Sequence, residues 1–244
     1  MIKTIFFDLD GTLLPMDQDV FLQDYFGRLV EKMTPHGYEA QRLRKSIWFC
    51  IGAMIQNDGT QTNEELFWKS FSKIYGKDTR EDEPIFLDFY QNEFQEVQKS
   101  CGFDYRAVKT IQTLKENGFR LILATNPLFP AVATQSRIKW AGLDSTDFEW
   151  ITTYENASYC KPNPAYYREI LNKLGLNPEE CLMVGNDAQE DMVAKSVGMH
   201  VFLQTDCLIN KYQADITKFP NGSFPELMHY IITYVSENSY TFGF

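Results

Sequence analysis

Short apolar runs at residues 2–7, 121–124, 181–184 and 200–204, with a weaker one at 149–153, constrain this chain more than any other feature. Four of them end abruptly on polar residues: Asp8, Thr125-Asn126-Pro127, Gly185-Asn186-Asp187 and Thr205-Asp206. Between them, residues 104–117, 129–141, 163–174 and 189–197 carry helical periodicity, and each stretch is followed by glycine (118, 142, 175, 198), the residue that ends helices in the left-handed conformation. Buried strands alternating with helices of 10–15 residues predict a parallel sheet covered by helices on both faces. The expected fold class is therefore α/β, with a Rossmann-like, doubly wound core.

Residues 15–100 break that rhythm. They contain no convincing strand and read instead as helices near 17–33, 38–56, 63–75 and 83–99, separated by Thr34-Pro35-His36-Gly37, Asn57-Asp58-Gly59 and Gly76-Lys77-Asp78. Thr62 or Asn63 is the expected cap of the third. This predicts an all-helical lid at 15–100 inserted into a core made of residues 1–14 and 101–244.

The net charge of −10 and the lack of any basic run beyond Arg42-Leu43-Arg44-Lys45 argue against nucleic acid or an anionic membrane as partner. A small anionic substrate stays open, because a metal ion can reverse the local field. Five cysteines in no C-x-x-C pair read as reduced core thiols. With no secretory signal and no apolar run of membrane-spanning length, the expectation is a cytoplasmic protein.

The sharpest motif is Asp8-Leu9-Asp10-Gly11-Thr12-Leu13-Leu14. Two acids two residues apart at a strand's end can face the same side, Gly11 lets the chain turn at once, and ligands of open parallel sheets sit at the carboxyl ends of strands. An isolated D-x-D is usually only an acidic turn; the whole run is more specific. It resembles the first motif of the haloacid dehalogenase-like superfamily. Thr125, Lys161 in Lys161-Pro162-Asn163-Pro164, and Gly185-Asn186-Asp187-Ala188-Gln189-Glu190-Asp191 follow in the order of that family's later motifs, and the helical insert falls where the family carries a cap.

The resemblance implies a Mg²⁺-dependent phosphohydrolase acting on a small phosphorylated metabolite. Asp8 would be the nucleophile that forms an aspartyl-phosphate, and Asp10 the general acid and base. Thr125 and Lys161 would bind phosphate, with Asn126 beside them on the substrate. The metal would be held by Asp8, the Asp10 carbonyl and Asp187. Asn186 intervenes where many relatives place the first acid directly after glycine; Asp187 is assigned to the metal, with Asn186 and Asp191 behind it, Asp191 steadying Lys161 or a metal-bound water. The chemistry is sound on its own terms: a carboxylate and a phosphate repel unless a cation lies between them, and Mg²⁺ prefers hard oxygen ligands.

Taken singly, a lysine before proline is a solvated loop residue and a threonine after a strand a turn residue; only the joint pattern lifts them. The Arg42–Lys45 face reads as solvated, and Trp48, Phe49, Phe67, Trp68 and Phe71 read as packing within the lid. A haloacid dehalogenase would need neither Asp10 nor Asp187. A β-phosphoglucomutase-like phosphomutase shares every core motif, a phosphonate hydrolase would need a lid lysine that no pattern selects, and a non-catalytic scaffold would have lost part of the constellation.

Overall fold

A computed structural model describes residues 1–239. The core strands are β1 (Thr4–Phe7), β2 (Arg120–Leu123), β3 (Trp150–Ile151), β4 (Cys181–Gly185), β5 (His200–Gln204) and β6 (Asn221–Gly222). They form one sheet in the order β3-β2-β1-β4-β5-β6, with every neighbouring pair parallel. Successive side chains of β1 supply opposite faces. Ile5 and Phe7 join a cluster with helices α5 (Tyr105–Glu116), α6 (Ala131–Trp140) and α8 (Phe224–Ser239), through Ile111, Ile138 and Leu227. Phe6 joins a second cluster with α7 (Pro164–Leu174), through Tyr166 and Ile170. With apolar layers on both sides, the sheet is doubly wound as expected.

The order reverses direction at β1, between β2 and β4, the switch point where ligands of such sheets bind. Phe7 pairs with both Leu123 and Val184. This register brings Asp8, Thr125 and Asn186 to the same end of three adjacent strands.

Residues 15–100 hold α1 (Gln18–Met33), α2 (Ala40–Ile55), α3 (Asn63–Tyr75) and α4 (Glu83–Gln91), with no strand among these residues. Thr62 caps α3: its hydroxyl accepts from Glu65 N while the Glu65 side chain accepts from Thr62 N. Three expectations need correction. The helix expected over 83–99 breaks at Asn92, whose amide Nδ2 bonds the Asp88 carbonyl and side chain; a 3-10 segment continues over Glu93–Ser100. The helix expected over 189–197 is a turn followed by a 3-10 segment, Met192–Val197, because the Asp187 and Asp191 side chains take up the backbone donors of Gln189, Glu190 and Asp187. Beyond residue 205 the periodicity disclosed neither β6 nor α8.

The helical segment meets the core along two seams of different character. On one side the contact is apolar: Phe94 packs on Trp140 of α6, ring centroids 5.0 Å apart, and against Phe129. On the other the start of α3 is bonded to core loops, with Asn63 N to Ala157 O and Glu64 N to Tyr154 O both at 2.9 Å. Where the chain passes between the parts, Met16 bridges Cys101 and Gly102 N bonds Pro15 O at 2.7 Å.

Candidate active site

The site is built from the ends of β1, β2 and β4. Asp8 leaves β1 with its N–H bonded to Val184 O, and Ala124 N bonds Phe7 O. Gly11 then turns the chain with φ +82°, and a Cβ there would lie 2.3 Å from Asn186 Nδ2, so both conformation and space require glycine. The turn sets Thr12 Oγ1 2.9 Å from Asn186 Oδ1 and 3.3 Å from Asp8 Oδ2, its one proton shared between two acceptors. Asn186 Nδ2 donates in turn to Cys207 O at 2.7 Å.

Lys161 is almost fully buried, its ammonium 2.9 Å from Asp8 Oδ1 and 2.7 Å from Asp191 Oδ1. Burial alone would lower its pKa, but the carboxylates of Asp191 and Asp8 outweigh that and hold it well above the ordinary lysine value. Asp191 is equally buried, and its second oxygen accepts from Asp187 N at 2.9 Å. Gly185 makes room for it: a Cβ at Gly185 would fall 2.1 Å from the Asp191 carboxyl carbon. Burial raises the Asp191 pKa against the pull of Lys161.

Asn126 ties the loops together. Its Oδ1 accepts from Lys161 N at 3.2 Å and its Nδ2 donates to Glu190 Oε2 at 3.0 Å. Burial pushes Glu190 up to about 7. Thr125 is buried, its carbonyl accepting from Thr152 Oγ1 at 2.7 Å and Tyr166 OH at 2.9 Å. Asp187 Oδ1 accepts from Gln189 N and Glu190 N at 2.7 and 2.9 Å, which fixes this carboxylate at the mouth of β4.

Sequence reasoning missed three residues here. Arg137, on α6 and fully buried, forms an ion pair through Nη1 with Asp10 Oδ2. Its Nη2 is 3.3 Å from Thr134 Oγ1, and its guanidinium lies 4.5 Å from the centroid of the Phe129 ring. The other Asp10 oxygen, Oδ1, is buried without a hydrogen-bond partner. Burial raises the Asp10 pKa, and the Arg137 charge opposes that rise without cancelling it. No pattern in the sequence marks Arg137, because its partner lies 127 residues away. Tyr166 and Tyr167 were also missed. They follow Lys161 into the first turn of α7, and Tyr167 OH donates to Glu190 O at 2.9 Å.

Above the strand ends lies a cavity of about 340 Å³, bounded below by Asp10, Asn126 and Glu190 and above by the helices. Trp48, Phe67 and Trp68 line it, which corrects the expectation that they serve only as packing. Phe71 is buried packing as expected, and Phe49 is exposed. Arg42 is turned away, donating to Ile74 O and lying over the Tyr75 ring.

The donors present suit Mg²⁺. Among the described residues no three His, Cys, Asp or Glu side chains converge into a ready cage. A cation here would rest on the Asp8 and Asp187 carboxylates, the Asp10 carbonyl, water and a substrate phosphate, an arrangement Mg²⁺ tolerates and structural Zn²⁺ does not. Burial is the main cause of the raised Asp10, Glu190 and Asp191 pKa values, and neighbouring carboxylates add to it.

The haloacid dehalogenase-like hydrolase family matches residues 2–198. The chain belongs to that family. It is 25% identical over 198 residues to pyrophosphatase PpaX of Halalkalibacterium halodurans, with 81% of each chain covered. It is likewise 25% identical over 197 residues to a phosphoglycolate phosphatase of Colwellia psychrerythraea, again with 81% of each covered. Its fold is shared with a solved phosphatase of the same family from Thermococcus onnurineus: TM-score 0.59, 20% identity, 94% of this chain and 98% of the other. Among the described residues, no helix of this family member is long and apolar enough to cross a membrane.

Proposed function

We propose that this chain is a Mg²⁺-dependent phosphohydrolase that cleaves a small phosphate monoester through an aspartyl-phosphate on Asp8. The observation that carries the reading is the buried chain Asp8–Lys161–Asp191, with bonds of 2.9 and 2.7 Å, at the switch point of the sheet. It keeps one carboxylate beside a cation whose charge burial cannot remove. The phosphatase names of two relatives at 25% identity agree with it.

In this reading Asp8 attacks phosphorus in line with the leaving oxygen. The Lys161 ammonium and the Thr125 and Asn126 loop face the transferring oxygens. Bound Mg²⁺, held by Asp8, the Asp10 carbonyl and Asp187, would supply charge neutralisation between nucleophile and phosphate. Asp10 gives its proton to the leaving alkoxide, and its raised pKa suits that task. The same carboxylate then takes a proton from the water that opens the aspartyl-phosphate, returning Asp8 and releasing phosphate. Asp191 holds Lys161 from behind, and Thr12 and Asn186 hold Asp8 and the turn. The helices of residues 15–100 act as a lid that keeps bulk water from the strand ends.

Phosphate release from a generic aryl phosphate tests this. We expect turnover with Mg²⁺, loss in excess EDTA and recovery when Mg²⁺ is restored. Full activity in chelator would overturn the metal assignment, and no release under any divalent cation would overturn the reaction itself.

A further inference from the structure

The cavity above Asp10 says what the rest of the substrate is made of. Its walls from α1 to α4 are aromatic and aliphatic, including Phe21, Tyr25, Trp48, Phe67, Trp68 and Leu87. Lys211 is its one cationic lining residue among those described, against three acids, Asp10, Glu83 and Glu190. At the rim, Trp48, Ile55 and Leu87 remain 49%, 40% and 38% exposed, an apolar fringe continuous with the interior. The volume of about 340 Å³ lies at the lower end of ligand pockets, roughly 300–1,000 Å³.

From this we infer that the substrate is the phosphate ester of an apolar, uncharged alcohol. The inference rests on the phosphohydrolase reading and specifies its leaving group. A second phosphate or a carboxylate on the alcohol would face Glu83 and Glu190 with only Lys211 to receive it, and like charges reject a wrong partner. A polyol would leave its hydroxyls against aromatic walls and lose their bonds to water. An alkyl or aryl group instead removes its own surface and that of the rim from water. Asp10 lines the same cavity as the apolar walls, beside Asn126 and Glu190, so the ester oxygen and the apolar chain have a continuous path between them.

The test compares kcat/KM for ethyl, hexyl and 3-phenylpropyl phosphates, whose alcohols have similar acidity, with 2-phosphoglycolate and pyrophosphate. It uses the full chain with Mg²⁺. Burial is worth about fourfold per methylene, so hexyl phosphate is expected to exceed ethyl phosphate by at least tenfold, mainly through KM. 3-Phenylpropyl phosphate should match or exceed the hexyl ester, and both anionic compounds should fall below it. Leu87→Glu, at the rim, should remove most of the hexyl advantage. Phe49→Ser, exposed on α2 and outside the cavity lining, should preserve the ranking. Clear phosphate release with a flat or inverted ranking would overturn the inference and leave the phosphohydrolase standing. Release from none of these esters would overturn both.

Discussion

The floor and the roof of the cavity are built in opposite ways. On the floor, polar side chains are held by partners at defined distances: Lys161 between two carboxylates, Asn126 between Lys161 N and Glu190, Thr12 between Asp8 and Asn186. Asp8, Asn126 and Asn186 take their places from the ends of β1, β2 and β4, whose register is fixed, and Lys161 reaches them from the loop before α7. The roof has few such bonds, the buried Tyr25 OH–Tyr90 OH contact at 2.9 Å among them. It is a set of aromatic and aliphatic faces on helices, in edge and stacked contacts such as Phe67 on Trp68 and Phe67 on Phe71, with centroids 5.3 and 5.5 Å apart. Geometry is fixed tightly below, and volume and polarity loosely above. Changes to the floor should therefore alter rate for every substrate, and changes to the roof should alter which substrate is preferred.

The largest test of that division is Asp8→Asn. It replaces the carboxylate proposed as nucleophile and is expected to reduce kcat by roughly 10⁴-fold or more for every ester alike. A loss that differed among esters would place selectivity on the floor. Arg137 comes next. Arg137→Met leaves the buried Asp10 carboxylate without its ion-pair partner, and we expect kcat to fall by about 10- to 100-fold, with a lower Tm. Arg137→Lys should restore the charge and part of the rate. A lower Tm with unchanged kcat would make Arg137 a packing residue and remove it from the floor's chemistry.

The smallest effect concerns pH. Asp10, Glu190 and Asp191 all have pKa values raised by burial, Glu190 to about 7. Between the ordinary carboxylate range near 4 and that value, the folded protein binds more protons than the unfolded chain. Stability without metal therefore falls as pH rises through this window. In EDTA, Tm at pH 7.5 should be roughly 2–4 °C or more below that at pH 5.5. Mg²⁺ should narrow the gap, and Glu190→Gln should remove part of it. A metal-free Tm that rose with pH would show that burial does not hold these carboxyls protonated.

The sequence disclosed the floor far better than the roof. Strand runs ending in polar residues are visible in one dimension, and Asp8, Lys161 and Asp191, brought together in space, each stood in a local motif. Arg137 had no motif because its role depends on α6 packing against the turn after β1, a contact between distant segments. Asn92 and the Asp187–Asp191 turn defeated helix periodicity for another reason: side chains there take over backbone partners, which apolar spacing does not record. The aromatics of α2 and α3 were visible as residues, but whether a face meets a neighbour or a cavity depends on how helices cross. β6 is two residues long, too short for any period.

The seam at the start of α3 can be watched directly. Two backbone hydrogen bonds, Asn63 N to Ala157 O and Glu64 N to Tyr154 O, join it to the core loops. The buried Asn63 side chain adds to them, its Nδ2 reaching Pro127 O and Cys160 Sγ, both at 3.3 Å, so at about 0.5–1.5 kcal/mol net for each bond parting the seam costs more than the two backbone bonds alone. These two amide protons are clocks. Their exchange with deuterated solvent reports how often this seam parts.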